Sequence, residues 1–558
     1  MRAAAGPRAS DGLVIKAYAG TTGVMLCFDI DEGKRKGLLG FAIQRTAVDA
    51  DKAEWRKPAW LSGLLRFPET PRGTGEHASN VCPIQKFRWS DYRVFPGERY
   101  TYEVHPVYGQ WDKPKLAAGL SVKVKTHGLD ESDTAIFNRA AAASQAFSKK
   151  FARDDKKLKA AKAKGKKLKD VALSDEAMKW LSRGLLERLL QHLAAAKDKT
   201  YGLDIAIYEY HLEAVAEAVQ AAHDRGVVVR LIHHSKSDKA TTENKHLLKA
   251  HPLPNAEVAA RKTSKIMHNK FAILHRIKNG KREPLSVLCG STNWTLNGCY
   301  RQANVVHVTN DNGICKSYAE LFNALLETAA KPAATKAWIN ANNAIPANPG
   351  VFAGFSPRTA ETDIKAFVAL IKGVKRDVLF STAFDLKKEI LEAFKGKMND
   401  PILRLGVQNT KSEITGVHLD RSESFTAAAL LPSGLEGWLK ESLAGQKGNI
   451  LIHTKMFVGD FTSDDPVIMS GSHNLSASAS SGNDENYLIL RGKTDLADIY
   501  GCEIMRIYDH YRFRYRTKTK TGAAKKRGPQ LTPDDTWTER YFVKGSLHES
   551  DRLRFTGK

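Results

Sequence analysis

Two short segments of the sequence each place a histidine and a lysine two residues apart. The first, HNKFAILH, contains His268 and Lys270, and the second, HTKMFVGD, contains His453 and Lys455. Residues two apart on an extended strand point to the same side, so each pair is predicted to face a cleft while the alternate residues enter a core. A Gly-Ser-x-Asn sequence follows each segment: Gly290, Ser291 and Asn293 after the first, and Gly471, Ser472 and Asn474 after the second.

The side chains in these segments suit the cleavage of a phosphodiester. That reaction needs a nucleophile, a proton donor for the leaving oxygen, and positive charge or hydrogen-bond donors at the non-bridging oxygens. Two histidines can supply the first two, and lysine and asparagine side chains can supply the third. One segment alone could be an ordinary strand with a buried histidine, but its repetition with the same spacing argues against chance.

The doubled motif resembles that of the phospholipase D superfamily, and the resemblance covers roughly residues 200–515. It implies two similar halves that pack about a pseudo-twofold axis, one active site between them, and a covalent phosphohistidine intermediate. No cofactor is expected, and the sequence shows no carboxylate-rich cluster that would hold a metal ion. The implied catalytic residues are His268, His453, Lys270, Lys455, Asn293, Asn474 and Glu485, with substrate-binding support from Ser291, Ser472 and Asn304.

The two halves differ at two positions of the motif. The eighth residue of the second segment is Asp460, as in the family, but the first segment has His275 there. Thirteen residues after the serine stands Glu485 in the second half and Asn304 in the first. We expect each of these last two side chains to lie behind the histidine of its own half.

That expectation assigns different roles to the two histidines. An amide behind His268 and a carboxylate behind His453 would resemble tyrosyl-DNA phosphodiesterases, in which the first histidine attacks. A carboxylate partner raises the pKa of an imidazole, whereas an amide leaves it neutral. His268 is therefore predicted to be the nucleophile and His453 the proton donor. Trp294, beside the first Gly-Ser-x-Asn turn, could stack on a base or a headgroup, or pack in the core.

The segments that must position these residues alternate between strand and helix. Residues 203–234 predict strand, helix and strand, and residues 377–408 repeat that order. The rhythm is typical of βαβ units and predicts a largely parallel, buried sheet in each half. The predicted fold class is α/β, with two similar βαβ halves preceded by a β-sandwich domain.

Residues 12–126 contain short strand patterns separated by Gly, Pro and Asp turns, as in a β-sandwich. The segment WSDYRVFPGERYTYEVHPVYG resembles the later strands of a fibronectin type III module. The predicted domains are the sandwich at 12–126, a Lys-rich helical linker at 127–200, the first half at 201–345, the second half at 346–515 and a basic tail at 516–558.

The formal net charge is +25, and much of it lies in two short stretches. Residues 149–169 and 512–527 are rich in lysine and arginine, and aromatic residues alternate with arginine at 511–515. On a strand, this alternation would put the aromatic rings on one face. Solvated linkers are one interpretation, and attraction to nucleic acid or to an anionic membrane is the other.

Three functions fit these observations. The leading one is a metal-independent phosphodiesterase acting on DNA or RNA, the second a phospholipase D or phosphatidyltransferase acting on anionic phospholipid, and the third a weakly catalytic nucleic-acid-binding protein. The sequence has six scattered cysteines, no apolar run long enough for a transmembrane segment and no evident secretory signal, which favours the cytoplasm. It predicts no oligomeric state.

Overall fold

A computed structural model of the protein describes residues 2–49, 56–71, 76–140, 144–165, 171–263, 265–428, 451–518 and 530–558. The chain forms an N-terminal pair of packed β-sheets, followed by two larger mixed sheets that meet at the His-x-Lys segments. Among the described residues, no helix is both long and apolar enough to cross a membrane.

The N-terminal region is a β-sandwich, as predicted. One sheet has the order β1-β2-β3-β8, and the other has the order β10-β9-β4-β5 with β11 also paired to β9. The strands are β1 Arg2–Ala5, β2 Val14–Ala19, β3 Val24–Asp29, β4 Leu38–Ala47, β5 Ala59–Trp60, β6 Ser62–Gly63, β7 His77–Ala78, β8 Arg88–Asp91, β9 Arg99–Gln110, β10 Lys113–Leu116 and β11 Leu120–Lys125.

Alternation along β9 shows why this region forms a sandwich. Tyr100, Tyr102 and Val104 are buried in the core that the two sheets share, whereas Thr101 and Glu103 between them are half-buried. A period of two places every second side chain on the inner face of a strand. The specific likeness to a fibronectin type III module stays a prediction.

The first half is a seven-stranded sheet covered by helices. Its strand order is β12-β18-β17-β16-β13-β14-β15. The strands are β12 Thr134–Phe137, β13 Tyr201–Ile207, β14 Val228–His234, β15 Glu257–Arg261, β16 Lys270–Lys278, β17 Lys281–Gly290 and β18 Val305–Thr309. The helices are α1 Ser144–Lys150, α2 Ala152–Ala163, α3 Asp175–Ser182, α4 Leu185–Ala194, α5 Glu213–Asp224, α6 Lys239–Ala250, α7 Asn312–Glu327 and α8 Pro332–Asn342, with a π-helical turn at Asn297–Arg301.

The second half repeats this plan in an eight-stranded sheet of order β19-β26-β25-β24-β20-β21-β23-β22. The strands are β19 Val351–Ser356, β20 Asp377–Thr382, β21 Leu403–Gln408, β22 Gly416–His418, β23 Glu423–Ala427, β24 Met456–Gly459, β25 Val467–Gly471 and β26 Glu485–Arg491. The α-helices are α9 Thr362–Lys372, α10 Lys388–Phe394, α11 Ala477–Ser481 and α12 Thr494–Lys518.

Both sheets are mixed rather than largely parallel, which corrects the prediction from the βαβ rhythm. In the first, β13, β14 and β15 run parallel, but β16, β17, β18 and β12 are joined to the sheet by antiparallel pairs. The second follows the same pattern around β20, β21 and β23. The parallel part comes from the βαβ segments. The connections from β16 to β17 and from β24 to β25 have two and seven residues, too few for a parallel crossover, so those pairs are antiparallel.

The halves meet through equivalent backbone contacts. Met267, just before His268, forms a β-bridge with Asp484, which lies just before β26. Ile452, just before His453, forms the equivalent bridge with Ala303, which lies just before β18. One continuous buried cluster contains residues of both halves. The exchange of equivalent contacts is what a pseudo-twofold relation between two repeats requires.

The helices after β18 and β26 cross between the halves in the same reciprocal way. Tyr318 on α7 accepts a hydrogen bond from the Asn486 amide of the second half, at 3.2 Å. Tyr500 on α12 lies 3.1 Å from Nδ1 of His307 in the first half. These contacts fix the two sheets relative to each other at the edge where the His-x-Lys segments begin.

The predicted boundaries around the two halves need correction. The proposed linker at 127–200 supplies β12, an edge strand of the first sheet, and α3 and α4, whose apolar residues enter the shared core. The proposed tail at 516–558 is also structured at its end, where α13, Leu547–Thr556, follows a 3-10 helix at Asp535–Tyr541. Trp537 packs in the sandwich core, and Arg552 forms an ion pair with Asp29 at 2.7 Å.

The aromatic residues at 511–515 lie on α12 and not on a strand, so the predicted separation of rings and charges onto two faces is wrong. Tyr511 is buried. Residues 519–527 of the second basic stretch and 166–169 of the first lie outside the described residues. Within the first stretch, Lys157 and Lys159 form ion pairs with the nearly buried Asp154 and Asp155.

Candidate active site

Each histidine of the two motifs is held against the opposite half by its backbone. The His268 N–H donates to the carbonyl of Asp484 at 2.8 Å, and the His453 N–H donates to the carbonyl of Ala303 at 2.9 Å. Both histidines lie just before the strands β16 and β24 and are almost fully buried. The two His-x-Lys segments therefore face each other at a single site between the halves, as the resemblance implied.

The side chains behind the histidines also come from the opposite half. The Nδ1 atom of His268 lies 2.7 Å from Oε2 of Glu485, and Nδ1 of His453 lies 2.9 Å from Oδ1 of Asn304. The prediction that Asn304 supports His268 and Glu485 supports His453 is wrong. Sequence spacing pairs each residue with the nearest histidine along the chain, but packing of the two halves exchanges them.

Local hydrogen bonds explain why one partner is a carboxylate. Glu485 accepts hydrogen bonds from Asn483 at 2.9 Å and from the hydroxyl of Ser472 at 2.5 Å, in addition to its contact with His268. All three neighbours are donors, which suits a side chain that only accepts when ionised. Burial raises the pKa of Glu485, but His268 outweighs it and the pKa lies below its ordinary value.

The surroundings of Asn304 require an amide instead. Its nitrogen donates to the carbonyls of Gly298 at 3.0 Å and Gln302 at 3.3 Å, so its oxygen faces Ser291 and His453. A carboxylate here would place an oxygen against two carbonyl oxygens. The two serines contact the groups behind the histidines, since Ser291 donates to Asn304 and Ser472 donates to Glu485, and their predicted support of a bound substrate stays a prediction.

These contacts fix the tautomer of both imidazoles. The neighbours of each Nδ1 are oxygen acceptors: Glu485 for His268, and Asn304 with the carbonyl of Ser291, at 3.1 Å, for His453. A neutral imidazole that donates from Nδ1 presents the lone pair of Nε2. Each histidine can therefore attack or take up a proton at Nε2 in the cleft.

Burial favours the neutral form of both histidines. It lowers the pKa of His268 to about 4, although Glu485 acts in the opposite direction. Burial, assisted by the nearby Lys455 and Lys270, lowers the pKa of His453 well below its ordinary value. An anionic group that enters the cleft favours protonation of an imidazole, so binding of a phosphodiester should be accompanied by proton uptake.

The two lysines have equivalent positions. Lys270 Nζ donates to the carbonyl of His268, and Lys455 Nζ donates to the carbonyl of His453, both at 2.7 Å. Burial lowers the pKa of Lys270 to about 7, against the influence of Glu485 and Glu209, and lowers the pKa of Lys455 well below its ordinary value. Two buried lysine amines in one cleft suit a site whose intended occupant is an anion, because a bound anion favours their protonated form.

An aromatic ring that sequence reasoning did not assign to the site flanks each His-Lys pair. The Tyr208 ring centroid lies 5.4 Å from that of His268, and Lys270 Nζ lies 5.3 Å from the same ring. The Phe384 ring centroid lies 5.9 Å from that of His453, with Lys455 Nζ at 5.5 Å. Tyr208 follows β13 and Phe384 follows the equivalent strand β20, and this equivalent placement is the signal in the sequence that could have identified them.

The two asparagines of the Gly-Ser-x-Asn turns have buried side-chain oxygens. Within the described part of the chain, the Oδ1 atoms of Asn293 and Asn474 have no hydrogen-bond partner. The nitrogen of Asn293 donates to the carboxylate of Glu209, which follows β13. Each asparagine thus retains polar atoms that a bound substrate can engage.

Trp294 does not line the cleft, which corrects its assignment as a substrate-binding residue. Its side chain is 1% exposed and packs against Tyr210 in the shared core, with 6.1 Å between ring centroids. Its backbone pairs with that of Tyr210 in an isolated bridge. Trp294 therefore anchors the Gly-Ser-x-Asn turn to the segment that follows β13.

The departure at the eighth motif position does not affect the site. His275 lies five residues along β16 from Lys270, or about 17 Å on an extended strand. Its Nε2 atom lies 2.7 Å from the buried Asp204. The equivalent Asp460 accepts hydrogen bonds from the backbone of Lys375 and Arg376. Both residues stabilise the far end of a strand and have no contact with the reacting groups.

A buried ion pair also joins the halves beside His268. Arg261, at the end of β15, lies 2.8 Å from Asp484, whose backbone carbonyl holds the His268 N–H. Both side chains are essentially inaccessible to solvent. The sequence gives no signal for this pair, because the two residues are far apart along the chain. Among the described residues, no group of three or more His, Cys, Asp or Glu side chains is arranged to hold a metal ion.

Comparison with known proteins agrees with this geometry. Residues 189–326 match the family described as "Cardiolipin synthase, PLD-like domain". The mitochondrial cardiolipin hydrolase of Xenopus tropicalis is 30% identical over 129 residues, which are 22% of this chain and 53% of that protein. The corresponding protein of Chlamydomonas reinhardtii is 32% identical over 142 residues, 25% of this chain and 56% of that protein. The chain spans about half the length of these curated relatives.

Solved structures show a weaker likeness. Phosphatidylserine synthase from Haemophilus influenzae is 10% identical, with a TM-score of 0.42 over 59% of this chain and 85% of that one. NucT from Helicobacter pylori is 24% identical, with a TM-score of 0.22 over 26% of this chain and 89% of that one. These values carry no functional argument. Residues 189–326 match a phospholipase D-like domain, and the second half repeats its sheet order and its His-x-Lys segment.

Proposed function

We propose that this protein hydrolyses phosphodiester bonds of nucleic acid through a covalent phosphohistidine intermediate. His268 Nε2 attacks phosphorus, the bond to the leaving oxygen breaks, and protonated His453 gives its Nε2 proton to that oxygen. Neutral His453 then takes a proton from water as the water oxygen attacks phosphorus. The P–N bond breaks, releasing a phosphomonoester and restoring His268.

Because Glu485 lies behind His268 and Asn304 behind His453, the roles of the two histidines rest on a different argument from the predicted one. When His268 attacks through Nε2 and keeps its Nδ1 proton, the ring becomes positively charged, and Glu485 lies 2.7 Å away to stabilise it. His453 has neutral oxygen partners, so its protonated form is a stronger acid and a better donor. The lysines and the asparagine amides stabilise the phosphoryl oxygens.

The two aromatic rings that flank the site are the reason for proposing nucleic acid as the substrate. Tyr208 and Phe384 are half-buried and lie beside the two His-Lys pairs on opposite sides of the site. Stacking of a base on an aromatic side chain contributes about 1–3 kcal/mol and tolerates any sequence. The basic stretches at 149–169 and 512–527 fit nucleic acid or an anionic membrane, and their contact with several phosphates of a nucleic acid would make its binding steeply dependent on salt.

The decisive experiment offers several substrates in parallel. Purified protein is incubated at low salt with single- and double-stranded DNA, RNA and vesicles containing cardiolipin, with His268→Ala and His453→Ala as inactive controls. We expect cleavage of single-stranded nucleic acid. Tyr208→Leu and Phe384→Leu should lower kcat/KM more on an oligonucleotide than on an abasic strand of the same length, which keeps the phosphates but has no base to stack.

The basic stretch that lies outside the described residues has its own test. Neutralising Lys525, Lys526 and Arg527 together should weaken oligonucleotide binding. The slope of log affinity against log salt on duplex DNA should become shallower by roughly 0.9 for each phosphate that these side chains neutralise in the wild type. An unchanged slope would remove this stretch from the proposed interface.

Hydrolysis of a phospholipid is the second candidate. Both relatives described above are named cardiolipin hydrolases. The structure also exposes two apolar residues, Met398 on a loop at 72% and Leu419 in a neighbouring 3-10 turn at 52%, which could contact acyl chains. If cardiolipin vesicles are hydrolysed while oligonucleotides are neither bound nor cut, this candidate replaces the first. The predicted cytoplasmic location stays a prediction.

A further inference from the structure

Glu209 places a second carboxylate beside the phosphate-binding groups. It follows β13, and its backbone carbonyl accepts a hydrogen bond from the N–H of Trp294 at 3.0 Å, which holds it against the first Gly-Ser-x-Asn turn. Its carboxylate accepts a hydrogen bond from the Asn293 amide. Its charge also acts on Lys270, where it opposes the effect of burial on the pKa of that lysine.

The reaction itself gives Glu209 no task. Glu485 already supports His268, and Asn304 supports His453. The second half has a different arrangement, because Asp385 after β20 is exposed and accepts a hydrogen bond from Thr410 at 3.1 Å. An acidic side chain in a cleft built for an anion weakens the attraction of that anion, so its presence calls for a function.

The shared amide sets the distance between Glu209 and a bound phosphate. The Asn293 nitrogen has two hydrogens, of which one is directed to Glu209 and the other is available to a phosphoryl oxygen. Two acceptors of one NH2 group lie about 5 Å apart, given ordinary hydrogen-bond lengths. At that separation, within a partly desolvated cleft, the repulsion between the carboxylate and the phosphate depends strongly on the charge of the phosphate.

We propose that Glu209 is a specificity residue that admits a phosphodiester and weakens the binding of a phosphomonoester. A diester carries one negative charge, whereas a monoester carries close to two at pH 8 because its second pKa is about 6. Hydrolysis converts the first into the second, so Glu209 also promotes release of the product. The inference rests on the proposed phosphodiesterase function and holds equally for a nucleotide or a lipid diester.

The test compares two ligands of nearly equal size and different charge. Binding of dimethyl phosphate and methyl phosphate at pH 8 is measured by calorimetry for the wild type, Glu209→Gln and the control Asp385→Asn. Glutamine keeps an acceptor oxygen for Asn293 and removes only the charge. We expect Glu209→Gln to bind methyl phosphate at least about tenfold more tightly, with dimethyl phosphate changed less than about threefold and Asp385→Asn unchanged.

Equal gains for both ligands, or no gain for methyl phosphate, would overturn the proposal. If Glu209→Gln fails to fold, the wild type decides alone: it should bind methyl phosphate no more tightly than dimethyl phosphate, and a preference of about tenfold for the dianion would overturn the inference. Binding is measured without turnover. An absence of hydrolysis would therefore count against the proposed function and leave this comparison valid.

Discussion

His268 and Glu485 lie in different halves of the protein and form one hydrogen bond, with 2.7 Å between Nδ1 and Oε2. The equivalent contact, between His453 and Asn304, runs in the opposite direction across the same interface. Each half thus supplies a histidine and the group that orients the histidine of the other half. A complete reacting pair exists only when the two halves are packed together.

Replacing Glu485 with glutamine should impair the attack by His268. The variant keeps an acceptor oxygen but loses the charge that stabilises the phosphorylated ring, so we expect kcat to fall by about 10²- to 10⁴-fold. Glu485 also opposes the effect of burial on His268, whose pKa is about 4. Its loss lowers that pKa further and moves the acid limb of the pH profile of kcat/KM to lower pH. The exposed Glu389→Gln is the control, and a Glu485→Gln variant with nearly full kcat would contradict this role.

The assignment of the nucleophile can be tested by trapping the intermediate. Without His453, hydrolysis of the phosphohistidine loses its general base, so His453→Ala should accumulate an adduct on His268 when a substrate with a good leaving group is used. Peptide mapping by mass spectrometry locates the modified residue. An adduct on His453 in the His268→Ala variant, with none on His268 in the reciprocal variant, would reverse the roles.

Turnover should survive removal of metal ions. Histidine and lysine side chains supply the nucleophile, the acid and the positive charge that a metal would otherwise provide. Hydrolysis of bis(p-nitrophenyl) phosphate is compared before and after treatment with EDTA, and we expect equal rates. Loss of activity that magnesium or zinc restores would disprove the mechanism.

Lys455→Met should make the protein more stable while it abolishes turnover. The pKa of Lys455 is far lower in the folded protein than in the unfolded chain, so below pH 10.5 the unfolded chain binds the proton more tightly and this lysine destabilises the fold. We expect the free energy of unfolding at pH 7 to rise by on the order of 1 kcal/mol, with the gain shrinking as the pH approaches 10.5. Thermal unfolding of the exposed variant Lys365→Met should show no such change. A less stable Lys455→Met would mean that the hydrogen bond to the His453 carbonyl outweighs the burial of the charge.

Substitutions of Trp294 test whether its side chain packs in the core or lines the substrate cleft. Because it packs beside Tyr210 with 1% exposure, Trp294→Ala should lower the free energy of unfolding by about 3–5 kcal/mol, and Trp294→Phe by less. KM for an oligonucleotide should be unchanged in Trp294→Phe. A raised KM at full stability would return this residue to the substrate-binding surface.

The sequence was enough to locate the chemistry and most of the elements that carry it. The spacing of His268 and Lys270, and its repetition at His453 and Lys455, identified the site because a strand directs alternate side chains to one face. The strand and helix patterns at 203–234 and 377–408 correspond to β13, α5 and β14 and to β20, α10 and β21. The same local rules could not decide how the later strands of each sheet pair.

Only the tertiary structure decided which residues far apart along the chain are in contact. Local periodicity determines which side chains face a cleft, but not which half supplies the neighbour across it. The exchange of Asn304 and Glu485 therefore escaped the sequence, as did the Arg261–Asp484 ion pair. Trp294 is buried in the core, and burial lowers the pKa of both histidines and both lysines. The sequence could not predict these effects, because desolvation depends on every atom packed around a group and not on the spacing of residues along the chain.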